Sequence, residues 1–289
     1  MQPSLFARAG AEILGTFILI FFGCGAVHVA VLTGDLSGLG QVGMVWGVAI
    51  MIAAYVCGGI SGAHINPAIT LALAAWGRFP FKDVPAYIVA QVAGAMLAAA
   101  TLFVLFNPML EEKEHVKKVV RGQPGSEITA MCYGEYFPNP GKFAGGNGPY
   151  DPIEHKKHYE LMSEPMACLA EFVGTLLLAL AVFAMTDQRN SGSPASRFAP
   201  VFIGLTVTIL ICVLAPLTQA CFNPARDFGP RAVAYLVGWG EIAIPGPNRT
   251  GFFTVYILAP IAGAVVGGGL YSMLLRPCLP ESSVEKPKS

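Results

Sequence analysis

The chain has 289 residues, 54% of them hydrophobic and 12% charged, with a mean hydropathy of +0.58 and a formal net charge of zero. Soluble domains carry about 25% charged residues, so this composition excludes a soluble enzyme and indicates an integral membrane protein. Zero net charge gives no pull toward nucleic acid. The seven cysteines are scattered without a C-x-x-C motif and read as small buried hydrophobes, not as a disulfide framework or a metal site.

In chain order, Ala9–Leu32 is apolar and long enough to span a bilayer, and no small-residue cleavage site follows a short core, so it reads as a retained first helix. A second span, Gly40–Gly59, leads into Gly62-Ala63-His64-Ile65-Asn66-Pro67-Ala68-Ile69-Thr70. Asn is a strong N-cap and Pro is favoured at the first helical position, so a helix is predicted from Pro67 to Gly77. At about 1.5 Å per residue it covers only about half of a bilayer core of about 30 Å. A third span, Val84–Phe106, completes a first repeat, residues 6–108. A long loop, 109–163, is mixed in charge and rich in Gly and Pro, and is expected to lie outside and partly cover an entrance.

The second repeat, 164–276, has spans at Pro165–Thr186, Phe198–Pro216 and Gly251–Leu275. After its second span, Asn223-Pro224-Ala225 opens another half-length helix, predicted from Pro224 to about Leu236. Ala11-Glu12-Ile13-Leu14-Gly15-Thr16 is echoed by Ala170-Glu171-Phe172-Val173-Gly174-Thr175, and Val92-Ala93-Gly94-Ala95 by Ile261-Ala262-Gly263-Ala264. Three spans per repeat is an odd number, so the second repeat must be inverted. The expectation is one all-α membrane domain over 1–289: six transmembrane helices, two re-entrant half-helices and an inverted 3+3 repeat, with half-helix N-termini meeting at the midplane. Arg8, Arg78, Lys82, Arg189, Arg197 and Arg276 fall on one side, while the loop around Asp35 has no Lys or Arg, which puts both termini in the cytoplasm of a cell membrane. The tail 277–289 is short and polar. Gly94, Gly263 and Gly267 suit close helix crossings.

Each half-helix start has a chemistry. The amide oxygen of Asn66 or Asn223 can cap its own helix, leaving the NH2 group free to point into a lumen. Each half-helix N-terminus carries about half a positive charge, so two facing ends repel cations and protons. Backbone before the triplets cannot be helical, so carbonyls of Gly62, Ala63, His64 and Ile65, and of Cys221 and Phe222 with Gln219 and Ala220, can line a pore and replace solvation of a polar solute.

These motifs resemble the aquaporin and aquaglyceroporin family, the major intrinsic proteins, from about Phe6 to Leu275. The resemblance rests on S-G-A-H-I-N-P-A-I-T, N-P-A-R-D-F-G-P-R, the A-E-x-x-G-T repeat and V-G-W-G at Val237–Gly240. Asp227 after Arg226, with Arg231 further on, resembles the bacterial glycerol facilitators. The resemblance implies a homotetramer in the lipid bilayer, with one pore per subunit for glycerol, water and other small neutral solutes, without cofactor or chemical step. It also implies a narrowest point formed by Trp46, Ile211, Ala220 and Arg226. Arg226 supplies a cation and donors, Trp46 an apolar face, and Ile211 and Ala220 the remaining width. Glycerol facilitators typically carry Gly where Ile211 stands and Phe where Ala220 stands, and Pro and Leu where Tyr256 and Ile257 stand. The filter set is closer to plant nodulin-26-like channels, which conduct glycerol and uncharged metalloid hydroxides.

Glu12 and Glu171 lie inside spans at equivalent positions and are expected to accept backbone N–H groups of the loop in their own repeat. A packed histidine is expected at His64. His155 and His158 lack a third metal ligand, and Asn248-Arg249-Thr250 is a glycosylation sequon. Two other classes compete with a channel. A secondary transporter would need a paired acidic coupling site, which the sequence lacks. A structural membrane protein with a vestigial pore sits poorly with intact Asn66, Asn223 and Arg226. A mainly water-conducting or metalloid channel is the alternative within the family.

Overall fold

The computed structural model describes residues 3–145, 148–194 and 196–280. Six helices among them are long and apolar enough to cross a membrane. They are α1 (Leu5–Leu32), α2 (Leu39–Ser61), α4 (Val84–Lys117), α8 (Glu164–Met185), α9 (Ala199–Thr218) and a closing span, Gly251–Cys278, whose helix is interrupted by π turns. Between them lie α3 (Pro67–Ala75) and α10 (Pro224–Ala234), the two half-length helices. Loop helices α5 (Glu127–Ala130), α6 (Gly141–Ala144) and α7 (Pro152–Tyr159) connect the repeats. The polar tail beyond Pro280 lies outside the described residues.

The packing repeats with the sequence. Helix α1 packs on α2 and α4; α8 packs in the same way on α9 and the closing span. The half-helices cross over: α3 lies against the closing span and α10 against α4, so each repeat holds the re-entrant helix of the other. Close approach is bought with glycine. A Cβ on Gly94 would lie 2.3 Å from the Ile13 carbonyl oxygen, and one on Gly263 2.2 Å from that of Phe172. Equivalent positions therefore make equivalent crossings, as small residues do where membrane helices meet.

The region 109–163 departs from its expected form in two ways. Helix α4 runs through Pro108 to Lys117, because Glu111, Glu112, Lys113 and Glu114 are strong helix formers once the apolar stretch ends. The rest does more than cover an entrance. Ile128, Thr129, Tyr133, Glu135 and Tyr136 are buried, and Tyr133 packs against Trp239 at 5.3 Å between ring centroids.

Candidate functional site

The two loops that enter α3 and α10 have the same backbone. Left-handed φ values occur at Gly62 (87°), Ala63 (48°) and Ile65 (44°), and again at Gln219 (64°), Ala220 (66°) and Phe222 (53°). Five of these six are not glycine, at a cost of order 1–3 kcal/mol each. Buried carboxylates offset it. Glu12 Oε1 accepts from Ser61 Oγ (2.7 Å) and His64 N (2.9 Å), and its Oε2 from Ile65 N (2.7 Å) and Gln91 Nε2 (2.7 Å). Glu171 Oε1 accepts from Thr218 Oγ1 (2.6 Å) and Cys221 N (3.0 Å), and its Oε2 from Phe222 N (2.8 Å). These bonds satisfy loop N–H groups that would otherwise be buried without a partner. The glycine of each A-E-x-x-G-T motif makes room for the same loop: a Cβ on Gly15 would lie 2.8 Å from Ile65 Cγ2, and one on Gly174 2.1 Å from Phe222 Cε1.

Asn66 and Asn223 cap α3 and α10 from extended backbone. Asn66 Oδ1 accepts from Ala68 N (2.8 Å) and Ile69 N (3.5 Å); Asn223 Oδ1 accepts from Ala225 N (3.0 Å) and Arg226 N (3.3 Å). Pro67 and Pro224 take the first helical position, and Ala68 and Ala225 are fully buried. The sequence predicts both NH2 groups free for a lumen, but each gives one N–H to the protein. Asn66 Nδ2 donates to Phe222 O and Asn223 Nδ2 to Ile65 O, each at 2.8 Å. Each asparagine is thereby clamped to the opposite repeat, with one N–H left over. The Ile65 and Phe222 oxygens each accept one amide N–H in this way and keep a second lone pair. Gly62, Ala63, His64 and Ile65 line the larger of the cavities described below, and Ala220, Cys221 and Phe222 the narrow one.

Trp46, Ile211, Ala220 and Arg226 are all buried and share one constriction of about 50 Å³. The Arg226 guanidinium lies over the Trp46 ring, 4.7 Å from its centroid. Trp46 is seated on Gly23, where a Cβ would fall 2.3 Å from the indole. Arg226 Nε forms an ion pair with Glu135 Oε1 at 2.7 Å, and Nη1 donates to Tyr133 O at 2.8 Å and Cys24 Sγ at 3.4 Å. Its Nη2 has no partner among the described residues, so its donors remain for a solute.

The constriction joins two larger spaces. A cavity of about 730 Å³ reaches Asn66 and Asn223 from the end where Arg78, Asp187 and Arg276 gather, and Asp187 accepts from Arg78 Nη2 (3.1 Å) and Arg276 Nε (2.9 Å). A cavity of about 520 Å³ reaches Trp46, Ile211 and Arg226 from the end capped by the long loop. The constriction shares both asparagines with the first and Trp46, Ile211 and Arg226 with the second, so the three line up as one route.

The sequence reading missed the loop side of this site. Asp227 and Arg231 form a buried pair (Nε to Oδ2 and Nη2 to Oδ1, each 2.8 Å); Asp227 Oδ1 also accepts from Glu135 N (2.7 Å), and Arg231 Nη2 donates to Glu135 O. The available signal was a carboxylate set in the aromatic run Tyr133-Gly134-Glu135-Tyr136-Phe137, an unusual place for an unpaired charge. Tyr256 packs against this assembly, 6.2 Å from Phe137 between ring centroids and 5.7 Å from the Arg231 guanidinium. His64 is wedged between Phe79 and Tyr87 and meets Thr70 Oγ1 at 3.2 Å. His155 meets the Tyr150 hydroxyl and His158 the Asn139 carbonyl; no cluster of three metal-ligating side chains occurs among the described residues. Both ends of the Asn248 amide bind the backbone of Phe137, as acceptor from N (3.4 Å) and donor to O (2.8 Å), so a glycan there would cost this clamp.

Comparison with known proteins agrees with the geometry. The family model described as Major intrinsic protein matches residues 2–271. A glycerol uptake facilitator protein of Pseudomonas aeruginosa is 39% identical over 281 residues, covering 97% of this chain and 93% of the relative. A propanediol uptake facilitator of Citrobacter freundii is 37% identical over 280 residues, covering 97% and 96%. The X-ray structure of the aquaglyceroporin from Plasmodium falciparum superposes with a TM-score of 0.78 at 23% identity, covering 95% of this chain and 98% of that one, and so shares the fold. The chain belongs to the major intrinsic protein family.

Proposed function

We propose that this protein is a passive channel for glycerol and similar small uncharged solutes, with some water permeability and with protons and ions excluded. The observation that carries this reading is the constriction itself. Arg226 offers donors on one wall while Trp46 and Ile211 present apolar surface, and a polyol has hydroxyls along one edge and CH groups along the other. The names of the bacterial relatives, glycerol and propanediol facilitators, point the same way. In this reading Asn66, Asn223 and the two half-helix ends form the cation barrier. The basic end with Arg78 and Arg276 faces the cytoplasm with both termini, and four copies assemble in a bacterial plasma membrane.

Stopped-flow light scattering on proteoliposomes tests the proposal. Glycerol gradients should relax far faster than in empty liposomes, sorbitol gradients should not, and the rates should not depend on an ion gradient. Saturable, ion-dependent counterflow would instead identify a transporter. A second reading rests on Ile211 and Ala220, which move bulk from one wall of the filter to another. It extends the solute class to trigonal metalloid hydroxides, and boric acid in the same assay should then relax as fast as glycerol.

A further inference from the structure

We propose that Glu135 is a fifth member of the constriction, a positioning residue acting through Arg226, and that one proton on its carboxylate sets the net charge of the filter. The inference rests on the reading of the constriction as a solute filter. Glu135 comes from the long loop, is 1% exposed and lines the 50 Å³ constriction beside Arg226. One carboxylate oxygen, Oε1, holds Arg226 Nε at 2.7 Å. The other, Oε2, is sealed from solvent and has no hydrogen-bond partner, which leaves a lone pair where a proton can settle. A buried carboxylate oxygen with no donor is costly in its charged form.

With Asp227 paired to Arg231, the charge of Arg226 is matched only while Glu135 is ionised. From α10 it is faced by Arg226, Asp227 and Arg231; from the loop before α10 by Cys221; from α8 by Glu171; and from the closing span by Tyr256. Cys24 of α1 stands behind Arg226. Asp227 is committed to Arg231, so Glu135 is the counter-ion of Arg226. Burial pushes the Glu135 carboxyl up to about 7 against the opposing pull of Arg226. Below that value the proton is bound, the ion pair with Nε becomes a contact between a cation and a neutral carboxyl, and the guanidinium stands uncompensated in the constriction. Its free Nη2 donors then hold a passing hydroxyl more tightly. Conduction needs binding weak enough to release the solute, so acid should slow polyol flux.

The test is the glycerol permeability of proteoliposomes with equal pH on both sides, across about pH 5 to 8, on either side of the Glu135 value. Wild-type protein should lose about threefold to fivefold of its flux on acidification, the scale set by exchanging an ion pair for a contact with a neutral acceptor. Glu135→Gln keeps the acceptor and removes the charge. It should be flat with pH, at the acid-limb value of the wild type. Glu135→Asp, which retains a titrating group, should restore a pH profile with a displaced midpoint. A flat wild-type profile overturns the proposal, as does an unchanged profile in Glu135→Gln. If Glu135→Gln fails to insert, an unshifted midpoint in Glu135→Asp overturns it and a shifted one supports it. Absence of glycerol flux at every pH removes the functional reading and this inference with it, whereas steady flux at every pH removes this inference alone.

Discussion

Asn66 and Asn223 each do two jobs with one amide: the oxygen caps a half-helix and one N–H ties the opposite loop at 2.8 Å. Asn66→Asp keeps the cap and loses the tie, placing a carboxylate against the Phe222 carbonyl. Glycerol flux should fall by about tenfold, since an unsatisfied buried acceptor costs about 1–3 kcal/mol, and cation leak should rise as the half-helix charge is offset. Unchanged flux and unchanged current in a properly inserted protein would remove Asn66 from the barrier. The constriction gives a second test, because Ile211 and Ala220 line the same 50 Å³ space. Ile211→Gly should admit larger polyols, Ala220→Phe should narrow the opening, and the double change should recover much of the lost glycerol flux. Residues sharing a cavity couple by about 0.5–3 kcal/mol, and distant ones add within a few tenths. Simple additivity of the log permeabilities would show that the two do not share a wall in the conducting protein.

The re-entrant loops are the elements on which the site depends, and their strained backbone survives because α1 and α8 bring a buried carboxylate and a glycine to each. Gly174→Val should push Phe222 away, since even its Cβ would sit 2.1 Å from the ring. Overpacking of this kind costs about 1–3 kcal/mol, so the detergent-solubilised protein should melt lower and glycerol flux should drop. Gly10→Val on the same kind of helix is the control, because a Cβ there meets nothing within 4 Å. Equal melting of the two variants would deny the glycine its role in seating the loop. The Asn-Pro pairs that start α3 and α10 were legible because capping chemistry is local. The left-handed residues before them were not, since Ala63, Ile65, Ala220 and Phe222 carry no preference for that conformation. Only the carboxylate across the fold imposes it.

Over the whole molecule, the two repeats are bound by exchange: α3 belongs to one and rests on the other, as does α10. The same closure operates at the basic end, where Asp187 joins Arg78 of the first repeat to Arg276 of the second. Burial disfavours the Asp187 carboxylate, but the Arg189 backbone N–H and Arg276 outweigh it, so its pKa lies below the ordinary carboxylate value. The stability this group adds is therefore present above its unfolded pKa and lost as pH falls through the folded one. Asp187→Asn should lower the melting temperature at neutral pH and flatten its decline in acid; a parallel decline in both proteins would show that the clasp contributes nothing.

The sequence by itself determined the membrane class, the six spans, the inverted repeat and the identity of the half-helices, because apolar length, capping residues and repeated motifs act over short distances along the chain. Through resemblance of motifs it also singled out Trp46, Ile211, Ala220 and Arg226, which the fold brings to one narrow space. Tertiary structure decided the rest. That the asparagine amides cross between repeats, that Ile65 and Phe222 turn their carbonyls to those amides, and that residues 109–163 send Tyr133 and Glu135 down to Arg226 all depend on contacts between residues far apart in the chain. A carboxylate in a loop reads as solvated until the fold places a buried arginine 2.7 Å away, and burial then strengthens the attraction between them.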